Sequence, residues 1–116
     1  MFFPEQHVLV YLCDQPTDMR KSYDGLHALV RSVLKKDPLS GHLFVFMNRK
    51  ATQIKVLYWD RSGFCLWGKR LEQGAFLGNW NTIPRQELDW TALKLILEGI
   101  EVKTIKKRYK LPANTS

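Results

Sequence analysis

Residues 40–76 read SGHLFVFMNRKATQIKVLYWDRSGFCLWGKRLEQGAF, and we expect the rest of the chain to pack on this stretch or extend from it. It holds three runs of apolar, β-branched and aromatic residues, and two short breaks rich in turn-forming residues separate these runs. Runs of this kind, joined by turn residues, are typical of consecutive strands connected by hairpins. The stretch therefore predicts a three-stranded antiparallel meander.

The segments before the meander predict a strand and a helix. Residues 8–13, VLVYLC, form an apolar run that predicts a buried N-terminal strand. In residues 17–38, apolar side chains recur at helical spacing, which predicts an amphipathic helix laid on the sheet. We expect Thr17 or Asp18 to cap the start of this helix and Pro38 to prevent its continuation. The apolar stripe consists of Leu26, Leu29, Val30, Val33 and Leu34.

The end of the chain predicts a second, short helix and a basic tail. Helical spacing returns after Arg85 and stops at Gly99. The tail beyond it is rich in lysine. A chain of 116 residues is long enough to form a stable hydrophobic core without disulfide bonds or structural metal ions. The sequence therefore predicts a single α+β domain over residues 1–102 and a basic, flexible C-terminal tail over residues 103–116.

The two breaks in the meander also predict a register. Counting outward from them pairs Met47 with Gln53, and Trp59 with Phe64. The face predicted to pack on the first helix carries Phe44, Phe46, Ile54, Val56, Tyr58, Cys65 and Trp67. The other face is mixed. It carries Leu43, Val45, Leu57, Trp59, Phe64 and Leu66 near one end, and Gln53, Lys55 and Arg70 near the other.

Basic residues collect at one end of this predicted sheet. Five cations converge there on one rim, namely Arg49, Lys50, Lys55, Lys69 and Arg70. Further candidates are Arg20 and Lys21 near the first helix, and Lys106, Lys107 and Arg108 in the tail. Cations contact phosphates and aromatic rings stack on bases, so this surface could bind nucleic acid. The plainer interpretation is that the last helix covers the apolar part of the second face and that the lysines are merely solvated.

The charge composition favours an acidic binding partner, and the spacing of the cysteines predicts no metal site. The formal net charge is +7 and the pI is near 9.6. Cys13 and Cys65 lie far apart in the sequence and show no zinc-ligand spacing, so neither a disulfide scaffold nor a metal site is predicted. The N-terminal residues lack the features of a signal peptide, and we expect a cytoplasmic protein.

No catalytic constellation is visible in the sequence. Asp14, Asp18 and Asp24 cluster around the start of the first helix, where carboxylates of a metal-dependent nuclease could hold Mg²⁺. Turn formation and helix capping explain such aspartates more simply. The three histidines are isolated in the sequence, and no nucleophile motif accompanies them. We therefore predict no catalytic residue, no cofactor and no metal. A metal-dependent nuclease is kept as the least favoured functional alternative, after the two hypotheses given below.

Three segments carry a family resemblance. They are VYLCDQPTDMRKSYDGLHALV, the meander quoted above, and LKLILEGIE, and together they cover most of residues 7–101. The motifs PTDMRK, SGHLFVF, NR, KVLYWD, GFCLW and KRLE follow in the same order and at similar spacings. The chain resembles the TnpB-type accessory proteins encoded by bacterial insertion sequences of the family numbered sixty-six.

The resemblance implies an accessory role in transposition beside a separately encoded transposase, and it supplies no catalytic motif. It marks as family-signature positions Asp18, Met19, Arg20, Lys21, Asn48, Arg49, Tyr58, Trp59, Asp60, Lys69 and Arg70. The leading hypothesis is a non-catalytic factor that binds DNA at the element ends or helps to assemble the transposase–DNA complex. The second is a protein-interaction adaptor that binds the transposase through Trp59 and Phe64 and does not bind DNA directly.

Overall fold

A computed structural model describes residues 8–76, 87–88, 93–94 and 97–98 of the chain. These residues form one mixed β-sheet with one α-helix on it, which confirms the α+β class. Along the chain the elements are β1 (Val10–Leu12), α1 (Tyr23–Ser32), β2 (Leu43–Met47), β3 (Gln53–Asp60), β4 (Gly63–Arg70) and β5 (Glu87–Leu88). In the sheet the strands lie in the order β4-β3-β2-β1-β5.

Strand β1 lies parallel to β2, and α1 connects the two. Val10 is opposite Leu43 and Leu12 is opposite Val45. Parallel neighbours need a crossover, because the chain must return to the same end of the sheet before it can run in the same direction again. The remaining pairs are antiparallel, β2 with β3, β3 with β4 and β1 with β5. The carboxyl ends of β1 and β2 therefore share one end of the sheet.

The helix begins later than the sequence predicted. Its N-cap residue is Ser22, and neither Thr17 nor Asp18 caps it. Thr17 is instead buried beside the end of β2, where its N–H donates to the Met47 carbonyl at 2.9 Å. At the other end, Lys35 adopts a left-handed backbone with φ 57°, and the Lys36 N–H donates to the Val30 carbonyl at 3.0 Å. This turn follows the helix, which ends at Ser32, six residues before Pro38.

The predicted register is confirmed between β3 and β4 and wrong between β2 and β3. Trp59 pairs with Phe64 as expected. Met47, however, pairs with Ile54 rather than with Gln53. The ladder reaches one residue further into the break than predicted, because the Asn48 N–H donates to the Gln53 carbonyl at 3.1 Å. A slip of one residue moves every side chain of a strand to the other face.

The corrected register changes the membership of both faces. The face that packs on α1, called here the helix face, buries Phe44, Phe46 and Leu57 against Leu26 and Val30. Phe64 and Leu66 are half-buried on the same face. The predictions for Phe44 and Phe46 are confirmed. Five other residues were predicted on this face and lie on the opposite one, namely Ile54, Val56, Tyr58, Cys65 and Trp67. The one-residue shift between β2 and β3 moves the side chains of β3 to the other face, and β4 keeps its predicted pairing with β3 and moves with it.

The opposite face is also a core. Val45, Met47, Ile54 and Val56 are buried there, and Phe76 is fully buried against them. Leu93 and Leu97 join this cluster from residues with helical backbone. The rest of the predicted C-terminal helix, the boundary at residues 102 and 103, and the tail lie outside the described residues. Within the described ranges, no helix has the length and apolarity that a bilayer crossing requires.

Candidate nucleic-acid interface

Two loops meet at the end of the sheet where β1 and β2 finish. The loop after β1 carries Arg20 and Lys21, and the turn after β2 carries Arg49 and Lys50. Strand β4 finishes at the same end, because Arg70 pairs with Gln53 at the start of β3. Parallel neighbours bring the loops that follow them to one edge, a common place for binding sites in sheets with helical crossovers. We call this region the basic end; its cations are Arg20, Lys21, Arg49, Lys50, Lys55, Lys69 and Arg70.

The loop after β1 is held by an internal ion pair. One oxygen of the Asp18 carboxylate accepts the Arg20 N–H at 2.9 Å and the other accepts the Arg20 Nη2 group at 2.7 Å. The Arg20 side chain is 91% exposed, so solvent surrounds the pair. The hydrogen bond from the Arg20 side chain, followed by that from its N–H, lowers the pKa of Asp18 to about 2. The carboxylate thus stays charged and fixes the shape of the turn, a different task from the predicted helix cap.

Lys55 fastens this loop to the sheet. Its Nζ atom donates to the main-chain carbonyl of Met19 at 2.8 Å and to that of Lys21 at 2.8 Å. The two acceptors lie on either side of Arg20, so one ammonium group fixes the backbone from which the exposed cations project. A hydrogen bond from a charged group contributes about 1.5–3 kcal/mol, more than a neutral one. Lys55 is therefore a structural cation, with its charge directed toward the protein.

Lys69 has a similar task on the other side of the sheet. It pairs with Ile54, one residue away from Lys55, and successive side chains on a strand point to opposite faces. Its Nζ atom donates to the Leu97 carbonyl, which ties a C-terminal helical residue to β4. Lys69 therefore lies at the same end of the sheet as the other four predicted cations, but its side chain leaves from the face opposite to that of Lys55.

Asn48 shapes the turn that carries Arg49 and Lys50. Its side-chain oxygen accepts from the Thr52 N–H at 2.9 Å and from the Gln53 N–H at 3.1 Å. Its side-chain nitrogen donates to the Thr52 hydroxyl at 3.0 Å. Between these bonds, Ala51 takes a left-handed backbone with φ 56° and is buried. The turn is thus closed by its own hydrogen bonds, with Arg49 and Lys50 exposed at its tip.

Arg70 also lies at the basic end, where it forms an ion pair with Glu72. Its Nε atom lies 3.3 Å from a carboxylate oxygen of Glu72, and both side chains are largely exposed. An exposed pair of this kind contributes at most about 1 kcal/mol. A phosphate could therefore take the place of Glu72 at little cost. Lys106, Lys107 and Arg108, which the sequence also proposed as phosphate contacts, lie outside the described residues.

Trp59 and Phe64 occupy the opposite end of the sheet, beside the β3–β4 turn. Their rings meet edge to face with centroids 5.1 Å apart, and Phe64 also contacts the His27 ring at 5.1 Å. Both residues are half-buried. The sequence placed them on the face away from the first helix. The structure places Phe64 against the helix cluster, because the register slip exchanged the faces.

The described residues hold no group of three or more His, Cys, Asp or Glu side chains arranged to bind a metal. Asp18 is occupied by Arg20, and the His27 Nε2 atom accepts from the Arg31 Nε atom at 3.2 Å. Burial raises the pKa of the Cys13 thiol, and desolvation together with a hydrogen bond to Cys65 raises the pKa of Tyr58 to about 12. These shifts disfavour the ionised, nucleophilic forms of both groups.

Sequence reasoning missed the anchoring roles of Lys55, Lys69 and Asn48. One signal was present for Lys55, since a lysine between Ile54 and Val56 interrupts an otherwise apolar strand. Its partners could not be read from the sequence, because they are main-chain carbonyls of residues 34 and 36 positions away.

Comparison with known proteins finds a matching family and similar bacterial proteins. A family described as "IS66 Orf2 like protein" matches residues 8–107. An uncharacterized protein of Sinorhizobium fredii, y4jC, is 35% identical over 106 residues, which cover 81% of this chain and 91% of that protein. A second uncharacterized protein of the same organism, y4hO, is 43% identical over 72 residues, 62% of this chain and 63% of that protein. No solved structure matches the chain.

Proposed function

Because the chain belongs to the IS66 Orf2-like family, we propose that it is a non-catalytic accessory factor in DNA transposition that contacts the DNA backbone through its basic end. The observation that carries the proposal is the parallel pairing of β1 with β2, since it brings two exposed basic loops to one end of the sheet. The net charge of +7 supports it, because an excess of cations attracts a polyanion.

The proposal divides the cations by what their charged groups already contact. Lys21, Arg49 and Lys50 are exposed and project from loops whose backbones are fixed, so they are placed to neutralise phosphates. Arg20 would add a contact through the part of its guanidinium group that faces solvent. Lys55 holds the loop that carries Arg20 and Lys21 in place, and Lys69 holds the C-terminal residue Leu97. Arg70 would exchange Glu72 for a phosphate.

The strand-cutting chemistry would belong to the separately encoded transposase. In this proposal the chain binds DNA at the element ends, or stabilises the assembled transposase–DNA complex. The tail cations Lys106, Lys107 and Arg108 would add contacts that do not depend on DNA sequence. A nuclease, the third alternative, would require Mg²⁺-dependent cleavage that is lost when Asp18 or Asp24 is changed, and we expect no cleavage.

Fluorescence anisotropy tests this proposal. Labelled element-end DNA and a scrambled duplex are titrated with the purified protein over a series of salt concentrations, with and without the transposase. We expect binding to both duplexes that weakens as salt is raised, because each neutralised phosphate releases counterions. A preference for element ends would indicate sequence reading in addition to phosphate contact. Absence of binding to either duplex at low salt would refute direct DNA contact.

The half-buried Trp59–Phe64 pair favours a second candidate function. Paired aromatic rings that remain partly exposed are typical anchors in protein interfaces. Under this adaptor hypothesis the chain would bind the transposase through this pair and would not need to bind DNA itself. Trp59→Ala would then abolish co-purification with the transposase while the thermal unfolding transition persists. Loss of co-purification in the Arg49→Ala/Lys50→Ala variant alone would favour the basic end instead.

A further inference from the structure

Strand β4 forms one edge of the sheet in the described part of the chain. It is eight residues long, whereas β5 at the other edge has only two. Phe64, Cys65, Leu66 and Trp67 in its middle are all half-buried. Long apolar edge strands present unpaired N–H and carbonyl groups and readily pair with another strand.

The hydrogen-bonding phase of β4 follows from its neighbours. The Leu71 N–H donates to the Thr52 carbonyl at 2.8 Å, which makes these two residues a hydrogen-bonded pair. Hydrogen-bonded and non-hydrogen-bonded pairs alternate along an antiparallel ladder. The residues of β4 whose N–H and carbonyl groups point away from β3 are therefore Phe64, Leu66, Gly68 and Arg70.

Gly68 is not explained by contacts within one copy of the chain. It is exposed, and its backbone lies outside the left-handed region that favours glycine. A Cβ atom at this position would lie 3.6 Å from the Ile54 carbonyl oxygen and 3.8 Å from Lys55 Cγ, which are ordinary contact distances. Glycine weakens a strand, and in strand interiors it often marks the close approach of another group.

We propose that two copies of the chain pair antiparallel through β4, with the two Leu66 residues opposite each other on a two-fold axis. In this register Phe64 of each copy lies across from Gly68 of the other, where the missing side chain leaves room for the ring. Cys65 faces Trp67, so apolar residues meet apolar residues along the centre of the contact. Aromatic cover of an edge glycine is a known device for fixing strand register.

Charge supports this register over the one centred on Trp67, which has the same hydrogen-bonding phase. Centred on Leu66, the pairing sets Lys69 and Arg70 opposite Gly63 and Ser62 of the second copy. Centred on Trp67, it would instead set Arg70 opposite Phe64 and Lys69 opposite Cys65. The first arrangement keeps the cations beyond the apolar centre. The proposal is independent of DNA binding, because it uses only the sheet edge.

Light scattering coupled to size exclusion tests the association. Because a strand-edge contact is smaller than a standard interface, the dimer should form and dissociate with protein concentration. We expect the mass to rise from 13.6 kDa toward twice that value as concentration is raised. A mass that stays at the single-chain value at every concentration would overturn the proposal.

Cysteine cross-linking tests the register. In a Cys65→Ser background, Leu66→Cys should form an intermolecular disulfide on mild oxidation, because the Cα atoms of a hydrogen-bonded antiparallel pair lie about 5.5 Å apart, within disulfide range. Arg70→Cys in the same background is the matched control and should not cross-link, because the two copies of residue 70 are far from the axis. Cross-linking through Arg70→Cys without cross-linking through Leu66→Cys would refute this register.

Gly68→Pro tests the edge itself. Proline removes an N–H that points away from β3, so the internal ladder keeps its bonds while the contact between copies loses one donor and the space under the Phe64 ring. We expect a monomer with circular dichroism close to that of the wild type. Gly68→Ala keeps the donor and should still dimerise more than Gly68→Pro. Equal dimerisation of the wild type and a folded Gly68→Pro variant would contradict pairing through β4.

Discussion

Lys55 directs its charge toward two main-chain carbonyls, and the position of the loop that carries Arg20 and Lys21 depends on it. Lys55→Met keeps the aliphatic part of the side chain and removes both hydrogen bonds. We expect the free energy of unfolding to fall by about 1–3 kcal/mol, because two carbonyl acceptors lose a charged donor. Urea denaturation measures this change. Amide exchange at Lys21, whose N–H donates to the Asp18 carbonyl at 3.0 Å, should also become faster.

Lys50→Met is the matched control for Lys55→Met. It removes the same charge from an exposed position in the hairpin tip, where we expect a change within about 0.5 kcal/mol. Equal stabilities for the two variants would show that Lys55 does not hold the loop.

Asp18 should make stability depend on pH in the acid range. Its pKa in the folded chain is lowered from 3.8 to about 2 by the Arg20 side chain and N–H. A carboxyl group with a lower pKa in the folded state stabilises the fold above its unfolded pKa, and this contribution disappears as the pH falls through the folded value. Urea unfolding should therefore show the wild type losing its advantage over Asp18→Asn between about pH 4 and pH 2. A carboxyl signal of Asp18 that titrates at its ordinary pKa in a carbon NMR titration would contradict the ion pair.

At the scale of the elements, the β2–β3 hairpin depends on one amide side chain. Asn48→Ala removes two bonds to main-chain N–H groups and one to Thr52. We expect a loss of about 1–2 kcal/mol in the free energy of unfolding, since the Thr52 and Gln53 donors lose their partner. Arg49→Ala in the same turn is the control and should change stability by less than about 0.5 kcal/mol. Comparable losses in both variants, measured by urea denaturation, would show that the tip itself, rather than Asn48, sets the stability.

The sequence predicted the elements better than their partners. The apolar stripe of Leu26 and Val30 indicated α1, and the runs in residues 40–76 indicated β2, β3 and β4, because these signals are local. The β2–β3 register was missed because it depends on whether the ladder includes Asn48, and local pattern cannot settle one residue. The pairing of β1 with β2 arises only when α1 packs, so the shared end of the two loops was not visible either. The same limit hid the carbonyl partners of Lys55.

At the scale of the whole molecule, charge is the property on which the proposed DNA contact depends. Changing the tail residues Lys106, Lys107 and Arg108 to alanine should reduce the slope of log affinity against log salt by about two to three units, if each contacts a phosphate. Anisotropy with labelled duplex measures this slope. An unchanged slope would remove the tail from the binding surface and leave the basic end as the contact.

The contribution of the basic end is tested most directly at the hairpin tip. The measurement is the salt dependence of DNA affinity for Arg49→Ala/Lys50→Ala beside the wild type, with urea denaturation to establish that both are folded. If the tip contacts the DNA backbone, the slope of log affinity against log salt should fall by about 1.8, because each lost phosphate contact accounts for about 0.9. A folded double variant with the wild-type slope and affinity would contradict the claim that the basic end binds DNA.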